Sequence, residues 1–587
     1  MKEGKLEVSN QAFVWGALLG LGALLRLVSL GWPPLGDAEA SSALSAATGA
    51  LASPFWKGES AGWGSASYQT LTGWLYQVFG TSNAAARWIP ALAGLGLLFA
   101  AWFLRRRLGR TQAVLLGLLL AISPTMLVTS RTAGGTSLAL LGVAMFLVFA
   151  LGRTKGERGL RPFAGMGVGL GLALASGPMA WNGLLSLAIA FAWLRWRGDG
   201  MEAVEKSMPQ GAWRTLGLAW LVTFLGLTTQ FGAGLDGLGV ALQAPAQWLA
   251  GWTRPGSLAL LTALALLPVY EPLILIFGLL GAARRGSEAL IWRGARIWAL
   301  AAALLFLLRV GRRPEDLVWV VLPMAVLATV PLGTLIEILT DGLEDISVYL
   351  MAGVLAALAG FTYLQLVGYV NELSIGGAPE IVTLGLVLTA LGFAVSLFLL
   401  YGMTWSWVEA FHAAGAVGVV LLGVLTLSAG WRLGFSPQAT GGPELWRPTS
   451  ASPDIQLLER TLEQISAAKR GEESGLPIRV QAPVPASLAW ILRHETAAPA
   501  ATDASPPQAV LLPSSDSQPS LPGTYVGQRF GVDTAWGWEG PLPPDGLGWW
   551  ILRKGGTRSI QWVLYVPNEG PSQSQGGNDG VEAPPSS

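Results

Sequence analysis

Apolar runs long enough to cross a bilayer recur along this chain from residue 11 to about residue 430, and no other feature limits its fold as severely. A backbone in hydrocarbon has no water to bond, so such runs fold as helices that satisfy their own peptide groups. They fall near 11–30, 88–104, 112–129, 135–152, 163–178, 180–195, 214–231, 257–281, 292–309, 316–338, 347–370, 379–401 and 408–429. The pattern predicts an α-helical polytopic membrane protein of about thirteen spans. Composition agrees. Of 587 residues, 52% are hydrophobic and 12% charged, whereas a soluble domain carries about 25% charged residues. Lys2 and Lys5 give the first run the look of a signal peptide, but its length and lack of a small-residue cleavage site mark a retained anchor.

Several function classes drop out. A net charge of +1 gives no general attraction to nucleic acid. The absence of cysteine removes disulfides, thiolate metal sites and cysteine nucleophiles together. Only His412 and His494 are present, which excludes a histidine-rich metal site. His412, inside an apolar run, reads as a buried hydrogen-bonding residue.

Basic residues set the orientation. Arg105, Arg106, Arg107 and Arg110 share one connection, and Arg153, Lys155, Arg158 and Arg161 lie two connections later. Arg195, Arg197, Lys206 and Arg214 follow, then Arg284, Arg285, Arg293 and Arg296. All fall in alternate loops, on the side of Lys2 and Lys5, so the N-terminus is expected in the cytoplasm of a plasma-membrane protein. The loop 31–86 is then external, as is everything after an odd number of spans. The predicted organisation is a membrane domain over 1–430, a Pro/Gly/Ser linker over 431–453, a small α/β domain over 454–566 and a disordered tail over 567–587. Within the α/β domain, Asp454–Arg470 reads as a helix and 485–494 as another. Strands are expected at 476–482, 510–513, 525–532, 549–553 and 562–566, with 496–523 largely disordered.

The residues able to carry chemistry gather after the first run. Trp32-Pro33-Pro34-Leu35-Gly36-Asp37-Ala38-Glu39-Ala40 stops one helix and starts the next, with Asp37 a candidate N-cap for 38–49. The acids can be read as solvated groups on an interfacial helix, or as a general base where a membrane-dissolved substrate meets a water-soluble one. Downstream come Phe79-Gly80-Thr81-Ser82-Asn83-Ala84-Ala85-Ala86-Arg87-Trp88-Ile89-Pro90-Ala91-Leu92-Ala93-Gly94, then Ile122-Ser123-Pro124 and Ser130-Arg131-Thr132-Ala133. Later, Gly311-Arg312-Arg313-Pro314 precedes Trp319-Val320-Val321-Leu322-Pro323.

This ordered series resembles glycosyltransferase family 39, the group of protein O-mannosyltransferases and the lipid A aminoarabinose transferase, with a GT-C fold. The family pattern is an acid after helix one, an arginine-bearing entry to helix two, and a Ser-Pro to Ser-Arg turn later. Here Ala38 separates acids that are usually adjacent. Ser67-Tyr68-Gln69-Thr70 stands where the family has Lys or His before Pro, and Tyr68 is the substrate-binding candidate there.

The resemblance implies a polyprenyl-phosphate sugar donor, a glycan, lipid or protein acceptor, and inverting transfer at the external membrane face. Asp37 would be the base, with Arg131 and then Arg313 or Arg312 gripping the lipid phosphate. Glu39 could orient the acceptor or help place a divalent metal, although no ligand cluster argues for one, and no other cofactor is implied. For Arg131 the competing reading is an interfacial arginine with no ligand. Arg87 reads as a helix-entry residue or an acid's partner. Two other functions stay open: noncatalytic binding or translocation of polyprenyl-linked glycans, and an unrelated transporter.

Overall fold

The computed structural model describes residues 2–47, 64–152, 159–198, 209–284, 289–341, 346–374, 381–435, 444–499, 508–514, 524–553 and 555–568. The expected tail, beyond its first two residues, lies outside this set. So do 500–507 and 515–523 of the stretch expected to be disordered.

A helix occupies every predicted apolar run. The first elements are α1 (Lys2–Leu27), α2 (Asp37–Ala46), α3 (Ala66–Phe79), α4 (Asn83–Phe103), α5 (Arg110–Ile122), α6 (Pro124–Ser130), α7 (Thr136–Gly152), α8 (Arg161–Ala175), α9 (Ala180–Trp196) and α10 (Ala212–Thr228). Next come α11 (Asp236–Ala250), α12 (Leu260–Tyr270), α13 (Pro272–Ala283), α14 (Leu290–Leu308), α15 (Val318–Asp341), α16 (Ile346–Ser374), α17 (Ile381–Thr404) and α18 (Trp407–Gly434). Among the described residues, six helices are long and apolar enough to cross a membrane alone, and two bent pairs bring the number to eight. Length and composition therefore mark a multi-pass membrane protein with six to eight candidate crossings among the described residues, beside four shorter apolar helices over 11–27, 136–152, 161–175 and 212–228. Several predicted runs are shorter helices, and two others are broken by proline.

The breaks lie at Ser123-Pro124, where α5 and α6 bend by 61°, and at Glu271-Pro272, where α12 and α13 bend by 92°. Proline opens the second helix of each pair, where its missing N–H costs nothing. The breaks meet: Ser123 Oγ donates to Glu271 Oε1 at 2.5 Å, and the Thr125 N–H donates to the same oxygen at 2.8 Å. One buried carboxylate thus takes up the Thr125 N–H that the interrupted helix would leave orphaned, together with the Ser123 hydroxyl. Elsewhere glycine sets the packing. Gly167 and Gly171 of α8 leave no room for a Cβ against the α10 backbone, while Gly169, on the other side, meets Gly142 of α7. Small residues in alternation let α8 approach two neighbours at once.

The C-terminal elements form a six-stranded mixed sheet of order β1-β5-β6-β4-β2-β3. Its strands are β1 (Thr449–Ala451), β2 (Pro477–Val480), β3 (Thr496–Pro499), β4 (Ala509–Pro513), β5 (Tyr525–Trp536) and β6 (Thr557–Pro567). Strand β2 runs parallel to β3 and β4, and the other pairs are antiparallel. Helices α19 (Asp454–Arg470), α20 (Ala486–Ile491) and α21 (Gly546–Leu552) complete it. Two expectations fail here. Residues 496–499 form β3 rather than disordered chain. Residues 549–553 are mostly helical: the Asp545 side chain caps Gly548 N at 3.0 Å, and Trp549 and Ile551 are both buried.

This sheet domain shares a core with the first loop: Leu35, Leu44 and Tyr76 pack in one cluster with Leu458, Trp490 and Phe530. Trp490 Nε1 donates to Asn83 Oδ1 at 2.7 Å, and the Arg493 guanidinium donates to Thr81. His412 is only half-buried, not enclosed as expected.

Candidate active site

The first loop divides its two acids. Asp37 and Glu39 are two residues apart on α2, and side chains at that spacing leave a helix in nearly opposite directions. Gly36, rather than Asp37, is the N-cap. Asp37 stays exposed, and its Oδ1 accepts the Ser487 N–H at 2.9 Å. Glu39 turns inward to Arg87. The guanidinium donates through Nε to Oε1 at 3.0 Å and through Nη2 to Oε2 at 2.8 Å, and it also donates to the Pro33 carbonyl at 2.6 Å. The Ala133 N–H adds a bond to Glu39 Oε1 at 2.9 Å. Burial pushes the Glu39 carboxyl up, but Arg87, with Arg447 and the Ala133 N–H, holds it below its ordinary value. The inserted Ala38 thus leaves one acid structural and the other presented.

Asp37 faces a cavity of about 660 Å³ walled by the segments 33–39, 247–257, 311–315 and 446–451. Three cations line it: Arg254, Arg313 and Arg447. The loop of Arg313 is fixed from below. Asp316 accepts the Arg313 N–H at 3.0 Å, Arg309 Nη1 at 3.2 Å and Asn182 Nδ2 at 2.6 Å. Gly311 N donates to Gly251 O at 2.6 Å, and a Cβ on Gly311 would collide with the Gly251 backbone. Glycine is needed there so that the two loops can close one rim of the cavity. Arg447 donates to Thr132 Oγ1 at 3.3 Å; burial lowers its guanidinium from the ordinary value, and Glu39 opposes that shift. A second, smaller cavity of about 280 Å³ adjoins the first at Ser257 and Pro448, with Leu258, Leu445 and Trp536 in its wall.

Other residues singled out in the sequence sit elsewhere. Arg131 does not line the cavity. Its Nη1 donates to the carbonyls of Leu25, Arg26 and Val28, and its Nη2 to that of Ser29, closing the C-terminal end of α1. Arg26 reciprocates on α5, donating to Leu120 and Ala121. A guanidinium on the last carbonyls of a helix is a favourable cap, which accounts for the Ser-Arg turn without a ligand. Arg312 is buried beneath the cavity, donating to the Leu258 and Leu307 carbonyls at 3.4 and 3.0 Å. Tyr68 is buried with its hydroxyl on Ala86 O at 2.9 Å. The structure therefore brings together Asp37, Glu39 and Arg313, and leaves Arg131, Arg312 and Tyr68 outside. Among the described residues no group of three or more acidic or histidine side chains could hold a metal ion.

Residues 69–226 match the family model of dolichyl-phosphate-mannose-protein mannosyltransferase. Over that stretch the chain resembles this family. The mannosyltransferase-like stretch runs from α3 to α10 and contains Arg87 and Arg131; Asp37 and the three cavity arginines lie on either side of it. No curated protein matches the chain. Among solved structures it is similar to ArnT from Cupriavidus metallidurans bound to undecaprenyl phosphate, at 14% identity over 85% of this chain and 92% of that one, with a TM-score of 0.49. It is also similar to the Archaeoglobus fulgidus oligosaccharyltransferase, at 12% identity over 83% and 63% of the two chains and a TM-score of 0.40. For the arabinosyltransferase EmbB from Mycobacterium smegmatis the values are 12%, 89%, 53% and 0.37.

Proposed function

We propose that the chain is a membrane glycosyltransferase that moves a sugar from a polyprenyl-phosphate donor to an acceptor hydroxyl at the external membrane face. The observation that carries this reading is a cavity in which an exposed carboxylate, Asp37, shares the walls with three guanidinium groups. In the reaction the acceptor oxygen bonds to the anomeric carbon as the bond from that carbon to the phosphate oxygen breaks, inverting the centre. Asp37 takes the hydroxyl proton. The electron pair leaves on the lipid phosphate, and fixed cations stabilise that charge best when they are already in place. Arg313, Arg254 and Arg447 fill this role rather than Arg131, whose donors are spent on α1. The adjoining smaller cavity, with apolar residues in its wall, suits the first part of the prenyl tail.

The test is sugar transfer by the full chain in liposomes supplied with a panel of polyprenyl-phosphate sugars, following release of the lipid phosphate. Turnover of at least one donor is expected. Binding of undecaprenyl phosphate without turnover of any donor would instead support a noncatalytic carrier-binding protein. Arg313→Ala is expected to raise the donor KM about ten- to hundredfold, the worth of a hydrogen bond to a charged group. An unchanged KM would remove Arg313 from the phosphate site.

A further inference from the structure

Resting on that reading, we infer that Ser487 and Asp533 of the sheet domain are positioning residues for the Asp37 carboxylate, so that the base is assembled from both parts of the chain. Ser487, in the first turn of α20, makes two bonds in different directions. Its N–H donates to Asp37 Oδ1 at 2.9 Å, and its hydroxyl donates to Asp533, 3.2 Å from Oδ1 and 3.4 Å from Oδ2. Ser487 is fully buried and Asp533 nearly so. One serine therefore fixes the presented acid through its backbone and links it to a second carboxylate through its side chain.

The rest of the surroundings leaves Asp37 as the charge that matters most to Asp533. Helix α20 and strand β1 carry no titratable side chain. On α19, Asp454 accepts the Gly531 N–H. On β6, Arg558 stands opposite Ala535, two residues along from Asp533. On α2, Glu39 is neutralised by Arg87. Burial, and then the Asp37 charge, push the Asp533 carboxyl up to about 7, and the Ser487 hydroxyl opposes this. Below that pH Asp533 is neutral. Above it, its charge stabilises a proton arriving on Asp37, which favours removal of that proton from the acceptor.

Two measurements test this, and the first needs no turnover. Infrared titration of the full chain is expected to show a carboxyl band lost near pH 7 that is absent in Asp533→Asn. In Asp37→Asn the midpoint should fall by about one pH unit, since a like charge has been removed. In Ser487→Ala it should rise. A midpoint unmoved by Asp37→Asn overturns the coupling, whatever the enzyme's activity. The second measurement is the pH–rate profile. The wild-type rate should climb about three- to tenfold through pH 7, and Asp533→Asn should be flat there with an unchanged donor KM. A climb that persists in Asp533→Asn overturns the inference. Loss of all transfer in wild type would instead defeat the catalytic reading on which it rests.

Discussion

Asp37→Asn is expected to lower sugar transfer by about 10²–10⁴-fold without lowering the thermal stability of the protein. The substitution is nearly isosteric, and an asparagine carbonyl can still accept the Ser487 N–H that Asp37 Oδ1 accepts at 2.9 Å. Helix α2 loses no cap, because Gly36 is the N-cap and uses no side chain. The side chain is exposed, so no buried partner is stranded. What disappears is the capacity to take a proton. Transfer measured at saturating donor and acceptor isolates that capacity from binding, and the effect should fall on kcat. A variant that transfers at the wild-type rate would show that Asp37 is not the base, and Glu39, already held by Arg87, could not replace it without losing that ion pair.

The two acids show how far the sequence could be read. Their place after the first helix is visible because prolines end one apolar run and a short polar segment opens the next. Their division of labour is not stated by the residues 37–39 alone. It becomes legible once Ala38 is seen to space them two apart on a helix and Arg87 is paired with one of them. Arg313 was marked by its position before a late apolar run, and it does line the cavity. Arg131 ranked ahead of it, because an interfacial guanidinium that binds phosphate and one that caps a neighbouring helix have the same local sequence. Only the long-range carbonyls of α1 distinguish them. Ser487 and Arg447 were missed for the same reason: Asp37 and Thr132, their partners, lie hundreds of residues away, and Asp533 gains its meaning only through Ser487. Glu271 did leave a signal, a carboxylate followed by proline inside an apolar run, and that pair marks the sharper of the two helix breaks.

Arg87→Ala, in the first turns of α4, should destabilise the fold around the first loop by about 3–5 kcal/mol, because it leaves a buried carboxylate without its counter-ion. Arg87 is 1% exposed and Glu39 7%. The guanidinium also ties down the Pro33 carbonyl and that of Leu30, so its loss frees the turn that presents Asp37. Glu39→Gln should cost less, since a neutral amide keeps part of the bonding to Arg87 and strands a cation that still has those carbonyls. The pH dependence separates this mechanism from a general loss of packing. In wild type the Glu39 carboxyl is held below its ordinary value, so its pairing contributes stability that is present above the ordinary carboxylate range. That contribution is lost as pH falls through the depressed native value. In Arg87→Ala burial is opposed only by Arg447 and the Ala133 N–H, so the carboxylate that has lost its ion pair shifts toward its protonated form, and the cost should shrink as pH falls into and below the carboxylate range near 4.5. Melting temperatures in detergent, compared at pH 7 and pH 4.5, should therefore differ widely between wild type and variant at neutrality and converge in acid. An equal gap at both pH values would mean that lost contacts, not the unpaired charge of Glu39, account for the destabilisation.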